Sequence, residues 1–195
     1  LWLHHGMAVS GGDGYGVGIC PIDAPAVSLG ETGCWRFSWD YVPKKADVFV
    51  NLFNNQWTTN FRLWNEGSWT QSVRLWTFDQ YDPAGSLIRP ALDARFPMVG
   101  RTAEGGGGGT LPRDAAGLEI SRHDVLVTSL GIEAGTRKLM LRLWEQAGKD
   151  GPAAITFPDS LDVRAVQPCD LRGRPLCKPI SVEAGRLELE VRHYA

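Results

Sequence analysis

The sequence predicts an all-β protein whose antiparallel sheets pack face to face as a β-sandwich. Three observations support this fold class. Apolar β-forming residues cluster or alternate in short runs between turn residues. No segment shows a sustained helical stripe with caps at its ends. The 23 glycines and 12 prolines are spread along the whole length, which favours many hairpins and corners over one long linker.

Six runs have the length and composition of β-strands. In one of them, Leu139, Leu141 and Leu143 occupy every second position, the pattern of a strand with one face in a core. The six runs are residues 46–53, 72–78, 125–130, 138–144, 161–166 and 187–191.

The glycine-rich start, GGDGYGVG at residues 11–18, predicts a β-hairpin turn. Gly12, Asp13 and Gly14 suit positive φ, and the strand that follows runs through residues 15–19. The alternative is a phosphate-binding loop. The spacing fails the G-x-G-x-x-G pattern at every offset and no P-loop lysine follows, so the turn is the favoured interpretation.

From Tyr81 to Gly117 the sequence predicts irregular structure. Five consecutive glycines, Gly105 to Gly109, lose much backbone entropy when they are ordered. We expect a loop or an interdomain connector here. The functional alternative is a flexible lid over a neighbouring active site.

The cysteines and histidines do not form a recognisable metal motif. There is no C-x-x-C pair and no histidine near the cysteines at zinc-ligand spacing, so no structural metal site is expected. Apolar neighbours favour buried free thiols, although disulfides stay open. His4 and His5 are expected to point to opposite faces of a strand, one buried and one exposed. The four cysteines are Cys20, Cys34, Cys169 and Cys177.

Charge and hydropathy exclude two classes of partner. The formal net charge is −2 and the acidic and basic residues are interspersed, whereas a nucleic-acid surface needs clustered lysine and arginine. No hydrophobic run is long enough to span a bilayer. The chain starts at Leu1 without a methionine and stops after an apolar alternating segment, so we expect a piece of a longer polypeptide, and its localisation is not indicated.

The stretch NLFNNQWTTNFRLWNEGSW, residues 51–69, is unusually rich in amides and indoles. Amides supply hydrogen-bond donors and acceptors for hydroxyl groups, and tryptophans supply flat apolar faces for the C–H side of a sugar ring. The alternative is a buried amide network that locks a β-corner around packed tryptophans. The candidate carbohydrate-binding residues are Asn54, Gln56, Trp57, Asn60, Trp64, Glu66 and Trp69.

Two long stretches carry a family resemblance. Residues 13–57, DGYGVGICPIDAPAVSLGETGCWRFSWDYVPKKADVFVNLFNNQW, resemble the region that follows the catalytic domain in proteins related to glycoside hydrolase family 38, the α-mannosidases. Residues 151–195, GPAAITFPDSLDVRAVQPCDLRGRPLCKPISVEAGRLELEVRHYA, resemble the last β-domain of that family, with a turn at Cys169-Asp170-Leu171 before a final apolar strand. The resemblance implies a supersandwich-like arrangement of antiparallel sheets.

The resemblance also limits what chemistry to expect. Family 38 enzymes are retaining glycosidases whose aspartate nucleophile and zinc ligands lie in an N-terminal catalytic domain, and nothing in this chain matches those motifs. There is also no Gly-x-Ser-x-Gly elbow and no Cys-His pair with a third partner. We therefore expect this chain to be inactive alone and to hold no cofactor, with zinc only in the catalytic domain of the parent protein. Acidic residues are present, but the sequence cannot place any two of them at the ~5 Å separation that retaining hydrolysis needs. They are Asp13, Asp23, Glu31, Asp40, Glu66, Asp79 and Asp82.

The resulting hypothesis has two parts. Residues 1–112 form a larger β-sandwich unit with the glycine-rich loop near its end, and residues 113–195 form a smaller one; one continuous domain is the alternative. The chain is expected to be a non-catalytic module of an α-mannosidase-like glycosidase that packs on the catalytic domain and contacts saccharide. The rival is a purely structural or subunit-interaction domain without a ligand. An exposed tryptophan beside free amides would favour binding, whereas full burial would favour a scaffold.

Overall fold

The computed structural model describes residues 1–33, 40–53, 64–102, 114–133 and 135–194. The chain divides into two compact units, Leu1–Gly100 and Arg101–Ala195. The boundary predicted after residue 112 falls within residues 103–113, outside the described residues, as does the run Gly105 to Gly109. That boundary stays a prediction.

The first unit contains five described strands and one helical segment. Strands β1, β2 and β5 form a three-stranded antiparallel sheet in that order, and β3 pairs with β4 in a second antiparallel ribbon. The strands are β1 (Met7–Ser10), β2 (Gly16–Pro21), β3 (Val27–Leu29), β4 (Val48–Val50) and β5 (Val73–Phe78).

The predicted turn joins β1 to β2 and is confirmed. The backbone N–H of Gly11 donates to the carbonyl of Tyr15 at 2.9 Å. Asp13 Oδ1 accepts from the backbone N–H of Tyr15 at 3.2 Å, and Gly14 has a φ of +88°. Glycine adopts this left-handed conformation without the steric cost that a Cβ would add.

Residues 83–95 are helical, which corrects the prediction that the whole segment from Tyr81 to Gly117 is irregular. A π-helical turn, Pro83–Ile88, continues into the helix α1 (Arg89–Arg95). Asp82 caps its start, because a side-chain oxygen accepts from the backbone N–H of Gly85 at 2.8 Å. A proline just inside the start of a helix is typical, but the segment is too short to show an apolar stripe.

The helical segment packs on one face of the β1-β2-β5 sheet. Trp76 of β5 donates its indole N–H to the carbonyl of Ser86 at 2.7 Å. Arg95 donates to the carbonyls of His5, Pro21 and Ile22 at 3.0, 2.9 and 3.2 Å. The segment is therefore tied to the sheet through both ends.

The second unit contains seven described strands in three antiparallel sheets. The orders are β12-β9-β6, β7-β8 and β10-β11. The strands are β6 (Glu119–Ile120), β7 (Val125–Ile132), β8 (Leu139–Glu145), β9 (Gly151–Thr156), β10 (Ala165–Val166), β11 (Ile180–Ser181) and β12 (Arg186–Val191).

A shared core joins the first two of these sheets. Ile155, Phe157 and Leu187 are buried together, and Leu141 and Leu143 of β8 pack against them. Leu141 and Leu143 thus face the core as their spacing predicts, whereas Leu139, the first residue of β8, is exposed. The fold class is confirmed: the described chain is mostly antiparallel strands with one short helical segment.

Candidate functional site

The amide- and indole-rich stretch is described only in part. Asn54, Gln56, Trp57 and Asn60 lie outside the described residues. Trp64, Glu66 and Trp69 are described, and all three are exposed. The exposed fraction is 68% for Trp64 and 49% for Trp69. The seven-residue site therefore stays a prediction, and only these three members can be located.

Asn51, at the start of this stretch, and Ser72, three residues after its end, are hydrogen-bonded to other parts of the first unit. Asn51, directly after β4, donates its backbone N–H to Ala26 at 2.9 Å and its side-chain amide to Ser28 Oγ at 3.2 Å. Directly before β5, Ser72 donates its backbone N–H to Asp23 Oδ2 at 2.8 Å. These bonds anchor the backbone on both sides of the segment that carries Trp64 and Trp69.

Phe53 is a neighbour of the candidate site that the sequence did not single out. Its ring lies 4.8 Å from the ring of Trp69, centroid to centroid, at an interplanar angle of 75°. Phe53 is itself 57% exposed. Its position within the same aromatic-rich stretch was the available signal, but sequence separation alone does not indicate which rings meet.

A second polar cluster lies in the other unit, around the buried carboxylate of Glu145. Arg122 donates to both carboxylate oxygens of Asp124, at 3.1 and 2.7 Å, and its guanidinium is 3.6 Å from Glu145 Oε1. Arg122 also donates to the carbonyls of Gly151 and Lys149 at 3.1 and 2.9 Å. These bonds join the start of β7, the end of β8 and the start of β9.

Hydrogen bonding favours the ionised form of both carboxylates in this cluster. The Arg122 side chain lowers the pKa of Asp124 by hydrogen bonding to its ionised form, against the opposing effect of burial. Burial alone would raise the pKa of Glu145. Backbone N–H groups of Tyr194, Lys149, Ala147 and Gly148 outweigh burial and hold that pKa below its usual value. Because these carboxylates and the guanidinium are paired with groups of the chain itself, the cluster is best explained as a structural hydrogen-bond network.

The histidine prediction was wrong in one respect. His4 and His5 lie in a bend before β1, so strand alternation does not separate them, and their Nδ1 atoms are 2.8 Å apart. Burial, then the proximity of His4 and of Arg95, lowers the pKa of His5. Within the described ranges no three His, Cys, Asp or Glu side chains are grouped as metal ligands. The expectation of no metal site stays a prediction.

The free-thiol prediction holds for one cysteine in the form expected. Cys20 is buried and unpaired, donates to the carbonyl of His5 at 3.1 Å, and has its pKa raised by burial. Cys169 and Cys177 are also free thiols, but Cys169 is only partly buried and Cys177 is exposed. Cys34 lies outside the described residues.

The described fold is that of an antiparallel β-module, and a comparison with protein families identifies part of it. Residues 125–195 match the family model described as the glycosyl hydrolases family 38 C-terminal beta sandwich domain. The resemblance seen in the sequence is therefore confirmed for this segment, while that of residues 13–57 stays a prediction. Curated proteins and solved structures gave no match. No helix among the described residues is long and apolar enough to cross a membrane.

Proposed function

We propose that this chain is a non-catalytic C-terminal β-module of an α-mannosidase-like glycoside hydrolase. In this proposal it packs on the catalytic domain of its parent protein and contacts carbohydrate through the tryptophans of residues 51–69. The match of residues 125–195 to the family 38 β-sandwich supports the first part. Any nucleophile and zinc would belong to the catalytic domain.

The exposure of Trp64 and Trp69 is the observation that carries the carbohydrate contact. A tryptophan placed only to fill a core would bury most of its large apolar surface. Open indoles in a segment anchored on both sides instead resemble the surfaces on which sugar rings stack, and the exposed carboxylate of Glu66 can accept hydrogen bonds from hydroxyl groups. A saccharide site needs both groups, because stacking discriminates poorly and hydrogen bonds supply orientation.

The test is a titration of the full chain with mannose and short mannosides, followed through the indole N–H signals in NMR spectra. Binding is expected to be weak, because the catalytic domain would supply the rest of the pocket. A dissociation constant near 1 mM would correspond to about −4 kcal/mol. Trp69→Ala should remove the response.

The matched control is Trp2→Ala, which removes an exposed tryptophan of the same unit outside the candidate stretch. This variant should bind as the wild type does. Indole signals that stay still at high mannoside concentration would count against the carbohydrate contact. A shift confined to another region would show that the site was assigned to the wrong residues.

A second candidate function, a purely structural or subunit-interaction module, is favoured by one different observation. On β5, Val73 and Leu75 are exposed on the sheet face opposite Trp76, and Leu75 is 62% exposed. Exposed apolar surface of this kind is typical of a protein contact. Size-exclusion chromatography of the chain alone reports self-association, and the same measurement with the catalytic domain added reports binding to that domain. In either case, Leu75→Asp should weaken the complex.

A further inference from the structure

Trp69 has two described neighbours in its own unit, Phe53 and Gly67, and neither was a candidate from the sequence. The ring of Phe53 meets the indole nearly at a right angle, with the centroids 4.8 Å apart. A Cβ built on Gly67 would be 3.5 Å from Cη2 of Trp69, so Gly67 lies beside the six-membered ring of the indole. Gly67 has a φ of +127°, a backbone conformation that residues other than glycine rarely adopt.

The edge-to-face contact with Phe53 favours one orientation of the indole and leaves much of its surface exposed. Edge-to-face packing is one of the two preferred arrangements of an aromatic pair, since the positive edge of one ring meets the negative face of the other. Trp69 nevertheless remains 49% exposed. An indole with a fixed orientation loses little rotamer entropy when a ligand stacks on it, and this preorganisation increases affinity.

We propose that Phe53 is a positioning residue that holds the indole of Trp69 as a stacking platform for the C–H face of an α-mannopyranoside. The proposal rests on the carbohydrate contact proposed above and adds the residue that orients the contacting ring. Phe53 acts through Trp69. The exposed carboxylate of Glu66, in the same segment, is the acceptor for the hydroxyl groups of the sugar.

The experiment compares three variants of the full chain in titrations with methyl α-mannopyranoside. Phe53→Leu keeps an apolar side chain but removes the ring, Phe53→Tyr keeps the ring, and Phe96→Leu is the control. Phe96 is an exposed phenylalanine of the same unit and has no aromatic partner among the described residues. The readouts are the dissociation constant and the indole N–H signal of Trp69, assigned with Trp69→Phe.

Phe53→Leu should move the Trp69 indole signal of the free protein and weaken binding about twofold to tenfold, the range expected from the strength of one aromatic pair. Phe53→Tyr and Phe96→Leu should both bind as the wild type does. If Phe53→Leu moves the indole signal but leaves the dissociation constant unchanged, the positioning role is wrong while the carbohydrate contact stands. If the wild type itself binds no mannoside, the carbohydrate contact fails and this inference fails with it.

A measurement on the wild type keeps the inference testable if Phe53→Leu does not fold. Intermolecular nuclear Overhauser effects should connect ring C–H protons of the mannoside with the indole of Trp69. Binding without these effects would overturn the stacking platform. Arginine, which stacks on tryptophan but is not a sugar, serves as a control ligand. If arginine shifts the indole signals as much as the mannoside does, the surface is a general aromatic one and the assignment to mannosides is wrong.

Discussion

The backbone N–H of Tyr194 donates a hydrogen bond of 2.9 Å to Oε2 of Glu145, whose side chain has no exposed surface. The same carboxylate accepts from the backbone N–H groups of Ala147 and Gly148 at 2.8 and 3.0 Å. One side chain at the end of β8 thus accepts hydrogen bonds from backbone N–H groups of the turn that leads to β9 and from the segment that follows β12. Ionised carboxylates are suited to this role because they only accept hydrogen bonds.

Glu145→Gln should destabilise the protein by about 2–3 kcal/mol, because the amide loses the charge and turns an N–H group toward backbone donors. The measurement is chemical denaturation at pH 7. The matched control is Glu188→Gln on β12, where the carboxylate is exposed and pairs with Arg186 at 3.2 Å. That substitution should change stability by less than about 0.5 kcal/mol. Equal effects of the two substitutions would contradict the structural role of Glu145.

The depressed pKa values of Asp124 and Glu145 predict a loss of stability in acid. A carboxyl group with a lower pKa in the folded state binds fewer protons there than in the unfolded state. Its contribution is therefore complete above the unfolded pKa, about 4, and is lost as the pH falls through the folded pKa. Denaturant unfolding should be measured between pH 7 and pH 2. The denaturant concentration at the unfolding midpoint should decrease once the pH falls below about 4.

Asp124→Asn provides the control for this pH dependence. The variant should be less stable at pH 7, since its amide cannot reproduce the ionic hydrogen bonds from Arg122, and its stability should fall less steeply on acidification. An acid profile identical to that of the wild type would show that other carboxylates dominate.

Gly18→Ala should be strongly destabilising, by about 2–4 kcal/mol. Gly18 lies opposite Trp76 in the β2–β5 pair, and a Cβ added there would overlap the indole ring. Gly12→Ala is the control, because a Cβ at that position would meet nothing within 4 Å. Thermal unfolding should separate the two variants clearly; a tolerated Gly18→Ala would mean that the Trp76 ring moves aside at little cost.

The isolated chain should hydrolyse no α-mannoside, even with added zinc. Its sequence has no match to the nucleophile and metal motifs of family 38 enzymes. The measurement is release of chromophore from an activated aryl α-mannoside by the purified chain. Turnover above that of the buffer, retained through a second purification, would refute the proposal that the chain is a non-catalytic module.

The local parts of the fold were predictable because they depend on residues close together in the chain. The leucines of β8 repeat every second position, and Gly12, Asp13 and Gly14 supply the turn between β1 and β2. The strand run 46–53 is shorter in the structure, Val48–Val50, and the run 161–166 contains only Ala165–Val166. Composition indicates that a strand is present. Its ends depend on which neighbouring strand it pairs with, and composition does not show that.

The sequence by itself determined the β class, the β1–β2 turn and the core-facing Leu141 and Leu143 of β8. It also predicted the resemblance of residues 151–195 to the last β-domain of family 38, within the segment that the family model matches. Only the tertiary structure decided which charged group is buried and which rings meet. In the sequence, Glu145 has no feature that distinguishes it from a surface glutamate; in the fold, Tyr194 and the turn after β8 enclose its carboxylate. Phe53 likewise gives no sign in the sequence that its ring contacts Trp69. The physical reason is that burial and ring contact depend on chain segments distant in sequence, whereas strand alternation and turns depend on near neighbours.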